Sequence, residues 1–191
     1  MLNYGLRLLT FICALVLWGC TKPPPAPTCR IADAFHADYT GPAGCLIRVQ
    51  NTLLVIKHNP SGQYDLPYGN PISEEPAQCT AHRHTWEQTG LNVEVDQLLG
   101  VTQSGTMLFS CKISGGFTSE DGPLEPPSWA NKNIQRIEFI NPFDTRYDVW
   151  RQPDNLVIYR NGFVTTKGEQ SNILDRQRQH DKELSQQKSP E

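Results

Sequence analysis

The sequence predicts a single α/β domain, and three observations carry that expectation. Apolar, β-branched runs recur through the middle of the chain: "CLIRV", "LLVIKH", "MLFSCKI" and "IQRIEFI". One stretch, Pro76 to Thr89, is free of Gly and of internal Pro and lies between two loops, as a helix would. The 191 residues, 38% of them hydrophobic, suffice for one ordinary core once non-globular ends are set aside.

Taken in order, "CLIRV" (45–49) and "LLVIKH" (53–58) flank "QNT" and read as a hairpin. In the helix, Pro76 suits the first turn and Gly90 suits the position just past the end. "MLFSCKI" (107–113) and "IQRIEFI" (134–140) read as further strands, joined by the Gly/Pro-rich loop "SGGFTSEDGPLEPPSWANKN". Loops of that length in compact domains often carry function. In "LVIYRNGFVTT" (156–166), Asn-Gly between two β-prone runs predicts a type I′ hairpin. Residues 167–191 form a polar tail whose only large aliphatics are Ile173, Leu174 and Leu184, too little apolar surface to offset the entropy of ordering.

The ends differ in kind from this core. Arg7 precedes an apolar run, Leu8 to Trp18, of the length of a secretory signal and too short to span a bilayer. Residues 1–20 are therefore an expected export signal, 21–28 ("TKPPPAPT") an extended proline-rich linker reaching about 25 Å, 29–166 the domain and 167–191 the tail. The motif "LWGC" resembles the lipobox of bacterial lipoproteins, in which the cysteine, here Cys20, is acylated; Trp18 departs from it, where a smaller residue is usual. That resemblance implies a lipid anchor in the membrane, a periplasm-facing position at a bacterial envelope and, from Thr21, the outer membrane. The alternative is an ordinary cleaved signal or a short uncleaved anchor. Net charge −3 and pI 5.9 argue against a nucleic-acid duplex as partner.

Cysteine usage agrees with export. Setting Cys13 and Cys20 aside leaves Cys29, Cys45, Cys79 and Cys111, an even number with no C-x-x-C pair, which favours two disulfides over a zinc site. Three connectivities are possible; the pairing expected is Cys79 with Cys111 and Cys29 with Cys45.

The segment "GQYDLPYGNPISEEPAQCTAHRHTWEQTGL" resembles the Nudix hydrolases, whose box reads G-x5-E-x7-R-E-U-x-E-E-x-G-U with U aliphatic. Gly69, Glu75, Arg83, Glu87, Gly90 and Leu91 fall on box positions at unbroken spacing, and "YDLPYG" is similar to the family's W-x-L-P-G-G lead-in. The resemblance implies an α/β/α sandwich around a mixed sheet, with the box as loop, helix and loop. It also implies a hydrolase that cleaves a diphosphate linkage in a small molecule with Mg2+ or Mn2+, held by Glu87, Gln88 and Glu75.

This box departs from the pattern at His84 and Gln88, both acidic in the family, and at Thr85 and Tyr68. Positions 84, 87 and 88 share one helix face, so the geometry is kept while two charges are lost. Magnesium is held mainly through carboxylates together with substrate phosphates, so weak metal binding is expected. Glu87, His84 and Arg83 are the catalytic candidates, the last as an i, i+4 ion-pair partner of Glu87. Imidazole suits manganese or zinc, or a general base; the alternative for His84, as for His82, is a solvated place on the helix. Glu75 either binds the ion or stabilises the helix N-terminus. Glu120, Asp121, Glu125 and Glu138 are candidate outside carboxylates. Gly69, Tyr68 and Trp129 are candidate substrate contacts, with core packing the alternative for the aromatics. The competing functional expectation is a catalytically silent binding module or accessory lipoprotein of the same fold.

Overall fold

The structure, a computed structural model, describes residues 24–32, 38–113 and 117–166; the export signal with Cys20, and the tail, lie outside the described residues. Strands β1 (Ala43–Val49) and β2 (Thr52–His58) form the expected hairpin, paired at Arg48–Leu53 and Val49–Thr52. Two short strands follow, β3 (Tyr64–Asp65) and β4 (Tyr68–Gly69), then helix α1 (Ala77–Thr89). Gly90 ends α1 in the left-handed region (φ 73°), donating its N–H to Trp86 O, a role glycine fills without steric cost.

Strand β5 (Val93–Val101), which the pattern above does not include, returns antiparallel to β6 (Met107–Ile113). β6 lies parallel to β1, with Cys45 opposite Phe109 and Ile47 opposite Cys111; α1 and β5 supply the crossover that a parallel pair requires. β7 (Ile134–Ile140) pairs antiparallel with β2. The sheet order is β3-β2-β1-β6-β5, with β4 added to β1 and β7 to β2.

Both faces of the sheet are covered, so β1 is buried almost throughout. Cys45, Ile47 and Val49 point to the α1 side, packing with Ala77, Ala81, Phe109 and Cys111. Leu46 points to the other side, with Leu53, Val55, Trp150 and the helix α2 (Leu156–Thr165). The mixed sheet between α1 and α2 is the expected α/β/α sandwich.

Two expectations are corrected. Residues 156–165 are helix α2, not a hairpin, because Leu156, Tyr159 and Phe163 recur at helical spacing and bury one stripe on the sheet. Gly162 lies within that helix where a Cβ would meet Leu46 Cδ1 at 2.7 Å, so the glycine serves close helix-to-sheet packing instead of a turn. The disulfides join Cys29 to Cys79 and Cys45 to Cys111, with Cα separations of 5.3 and 5.5 Å. Register places Cys45 and Cys111 diagonally across the parallel β1–β6 pair. The chain near Cys29 is pinned along β5, through Val95 N to Arg30 O and Ala32 N to Val95 O, which carries Cys29 over α1 and Cys79.

Candidate functional site

The box loop and α1 are tied together by one guanidinium. Arg83 donates through Nε and Nη2 to both oxygens of Glu75 (2.9 and 2.8 Å), through Nη1 to Glu87 (3.0 and 3.2 Å) and through Nη2 to Asn70 O (2.9 Å). Glu75 also accepts from Ile72 N and Thr80 Oγ1, so it clamps the loop to the first turn of the helix. Burial pushes Glu75 up, but the hydrogen bonds from Arg83, Ile72 and Thr80 outweigh it and hold the carboxyl below its ordinary range.

His84 packs its ring on Gly69, where any Cβ would collide with the imidazole. Its Nε2 lies 2.9 Å from Asn70 O and its Nδ1 3.2 Å from Glu87 Oε2. The ring is mostly covered, not solvated, with an oxygen facing each nitrogen. His82 is not solvated either: it is buried, with Nε2 3.0 Å from Asn92 Oδ1.

Gln88 faces the other way, into a cleft of about 330 Å³ lined by His58, Asp65, Tyr68, Asn131, Asn133 and Arg151, with Ile56 and Ile134 also in its wall. Its Nε2 donates to Tyr68 O (2.8 Å), and its Oε1 is buried with no partner. Tyr68 thus lines the cleft and fixes Gln88, while its hydroxyl accepts from Gln152. Trp129 is tilted against Trp86 of α1, ring centroids 5.5 Å apart, and is not part of this lining.

The sequence offered no motif for the deeper cleft residues. Asp65 is buried; its Oδ1 accepts from Leu66 N (3.0 Å) and its Oδ2 lies 3.8 Å from Arg151 Nε. Burial raises its pKa to about 7, against the pull of the Leu66 N–H and Arg151. His58 Nδ1 is 2.9 Å from Arg151 Nη1, and its Nε2 is buried without a partner. Burial, then the charge of Arg151, lower its pKa to about 4.

The outside carboxylates do not join the box. Glu138 accepts from Tyr64 Oη and pairs with Lys57 on the β2–β7 side. Asp121 accepts from Thr118 N and Oγ1, and Glu120 and Glu125 are exposed. Among the described residues no group of three or more His, Cys, Asp or Glu side chains is arranged to hold a metal ion.

The fold is the one that solved Nudix-type domains share. A "MutT-like protein" of Streptomyces ambofaciens is 35% identical over 92 residues, spanning 46% of this chain and 60% of that relative's length. An ADP-ribose pyrophosphatase of Streptococcus suis shares the fold at TM-score 0.51 and 14% identity, covering 69% of this chain and 95% of the other. A Nudix hydrolase of Nitrosomonas europaea does so at TM-score 0.51 and 16% identity, covering 66% and 90%. No family model matches the chain. The chain spans 60% of the length of that relative, and the two solved structures share the fold alone.

Nudix hydrolases generally use divalent cations, and the residues here fit one poorly. The single carboxylate on the expected face, Glu87, is neutralised by Arg83 and faced by His84, and position 88 offers a neutral amide oxygen. No catalytic step is derived through a metal held by these side chains.

Proposed function

We propose that the protein is an exported Nudix-type hydrolase acting on a diphosphate linkage in a small molecule, with weakened box chemistry. The observation that carries this reading is a box whose loop and helix are still locked by Glu75, Arg83 and Glu87 beside a cleft that reaches the helix at Gln88. The name of the Streptococcus suis fold neighbour, an ADP-ribose pyrophosphatase, supports a diphosphate as substrate class. Mg2+ or Mn2+ would arrive with the substrate's phosphates, which supply the oxygens that the box lacks. Tyr68 and the Gly69 backbone are the substrate contacts nearest the box, while Trp129, packed on Trp86, stands outside the cleft lining.

Export rests on the signal-like segment, on "LWGC" with Cys20 as the acylated residue, and on two disulfides, which persist in oxidising compartments. The domain would then face the periplasm from a lipid anchor, held off the membrane by residues 21–28. The neutralised Glu87 favours a second reading, a silent binding module at the envelope.

Phosphate release from a panel of diphosphate compounds, with Mg2+ or Mn2+, decides between them. The native chain is measured beside Glu87→Gln and a His84→Glu/Gln88→Glu double variant. Turnover by the native chain that Glu87→Gln abolishes supports the hydrolase. Turnover by the double variant alone replaces it with the binding module.

A further inference from the structure

We infer that the outward face of α2, with Phe143 and Tyr147 beside it, rests on a lipid bilayer surface, as a second membrane contact beyond the anchor at Cys20. The contact presupposes the export proposed above and is independent of whether the box turns over a substrate.

The composition of α2 carries the inference. A helix on a protein surface keeps charged or polar residues on its outer side, and one that is apolar all round is covered. α2 reads "LVIYRNGFVT", and Leu156, Tyr159 and Phe163 already make up its buried stripe. Its exposed positions are Val157, Asn161, Val164 and Thr165, which recur at i, i+4, i+7 and i+8 and so share one direction. None of them is charged. Val157 is 56% exposed and Val164 67%.

Arg160, the one charged residue of the helix, lies three residues after Val157 and four before Val164, and it extends the patch sideways. Its guanidinium donates through Nε to Pro142 O (3.0 Å) and through Nη2 to Thr145 O (2.9 Å). It lies 5.4 Å from the centre of the Phe143 ring and 6.0 Å from that of Tyr147, and both residues are about half exposed. A single exposed apolar side chain needs no cause, but four around one guanidinium mark a surface that meets something.

The chain itself indicates the partner. Cys29 follows Cys20 by nine residues, a reach of about 28 Å at roughly 3.1 Å per residue. The segment from Cys29 is held at the β5 edge of the sheet, where Arg30 O accepts from Val95 N and Ala32 N donates to Val95 O. β5 in turn packs under α2: a Cβ on Gly162 would lie 3.2 Å from Leu99 Cδ1, and one on Gly100 2.9 Å from Ile158 Cδ1. The outer side of a helix layer stands roughly 15 Å from its sheet, so an anchor at Cys20 reaches the plane of that face. Valines, aromatic rings and an arginine set among them suit the boundary between acyl chains and headgroups. A second copy fits less well, since face-to-face pairing on a two-fold axis would bring Arg160 against its own counterpart. Residues 167–191 offer only Ile173, Leu174 and Leu184 as cover.

Tyr39 supplies an internal control. It is 50% exposed against 54% for Tyr147, and it lies at the start of α1, where its carbonyl accepts from Ala77 N. The full native chain, in membranes of cells that export it, is footprinted with hydroxyl radicals. Tyr147 is expected to oxidise at least fivefold less than Tyr39; equal oxidation overturns the inference with no substitution needed. The occupant is then named by irradiating Val164→p-benzoylphenylalanine in the same membranes, with Ile72→p-benzoylphenylalanine as the exposed control beside α1. A phospholipid adduct at 164, at least fivefold above that at 72, is the expected result. An adduct to residues 167–191, to a second copy or to another protein, or equal lipid yields at both positions, overturns the inference. Tyr147→p-benzoylphenylalanine, which enlarges an existing ring, serves where the valine variant misfolds. The mass of the mature N-terminus is read on the same preparation. Acylated Cys20 without protection or lipid adduct keeps the anchor and removes this contact; a lipid adduct on a chain without acyl groups does the reverse. A chain recovered outside the membrane removes both, and phosphate release bears on the hydrolase alone.

Discussion

The two sides of the box helix solve opposite problems. Toward the loop, charge is abundant and nothing is free: Arg83 serves Glu75, Glu87 and the Asn70 carbonyl, and His84 has an oxygen at each nitrogen. Toward the cleft, two polar atoms, Gln88 Oε1 and His58 Nε2, lack partners, and the buried Asp65 has the Arg151 guanidinium only at 3.8 Å. A set of mutually satisfied ions is scaffolding, because any ligand must first break it. Unsatisfied polar atoms beside a cleft are the opposite case, because folding has left their desolvation uncompensated. Box spacing and box chemistry are thus separable within one helix.

The comparison breaks most severely at Arg83. Its side chain and that of Glu75 are 14% and 13% exposed, so Arg83→Ala strands a nearly covered carboxylate and loses the loop-to-helix tie. The expected loss is about 3 kcal/mol, read as a lower urea midpoint at unchanged slope. A loss below about 1 kcal/mol would mean that the box ions are surface decoration.

Asp65 tests the cleft side next. Its carboxyl, near 3.8 when unfolded and raised to about 7 by burial, binds more protons folded than unfolded between those values. Stability from this group therefore falls as pH rises through that window. His58, lowered from 6.5 to about 4, binds fewer protons folded, so its contribution rises with pH from 4 to 6.5 and opposes Asp65 there. Above pH 6.5 Asp65 acts without that opposition. Asp65→Asn should flatten the decline between pH 6 and 8 and stabilise the chain at pH 8 by on the order of 2 kcal/mol. The same pH slope in native and variant would show that Asp65 is solvated or fully paired.

Gly69→Ala returns to the ion side with a smaller effect. An added methyl would collide with the His84 ring, so the ring must leave Asn70 O and Glu87. We expect a loss of about 1–2 kcal/mol that shrinks toward zero in a His84→Ala background. Equal losses in both backgrounds would place the strain in the backbone instead.

What the sequence disclosed follows the same divide between local and distant causes. The β1–β2 hairpin, α1 with its Gly90 stop, β6 and β7 each follow from composition and spacing within a few residues. The box was legible because its residues are fixed by spacing along one loop and helix. Asn161-Gly162 misled because Gly162 is chosen for contact with Leu46, more than a hundred residues earlier in the chain; the helical spacing of Leu156, Tyr159 and Phe163 was present and was the better guide. In β5 the alternation of buried Val93 and Val95 about Glu94 was likewise available. The disulfide pairing had no local signal, since sheet register alone brings Cys45 to Cys111. The cleft was illegible for the same reason: His58, Asp65, Gln88 and Arg151 come from four separate segments, and nothing in "YDLPYG" marks its aspartate as buried.

Glu87 gives the smallest effect on stability and sharpens the contrast between scaffold and site. Its side chain is 38% exposed, and solvent screens its pair with Arg83. In Glu87→Gln the amide oxygen can still accept from Arg83 Nη1, and Glu75 retains both of its guanidinium contacts, so the urea midpoint should fall by less than about 1 kcal/mol. Activity need not follow stability. If a cation arriving with substrate engages Glu87, the same variant abolishes phosphate release while the fold is nearly unchanged. A stability loss as large as that of Arg83→Ala would instead make Glu87 part of the clamp, and its retention at a box position would then reflect folding and not chemistry.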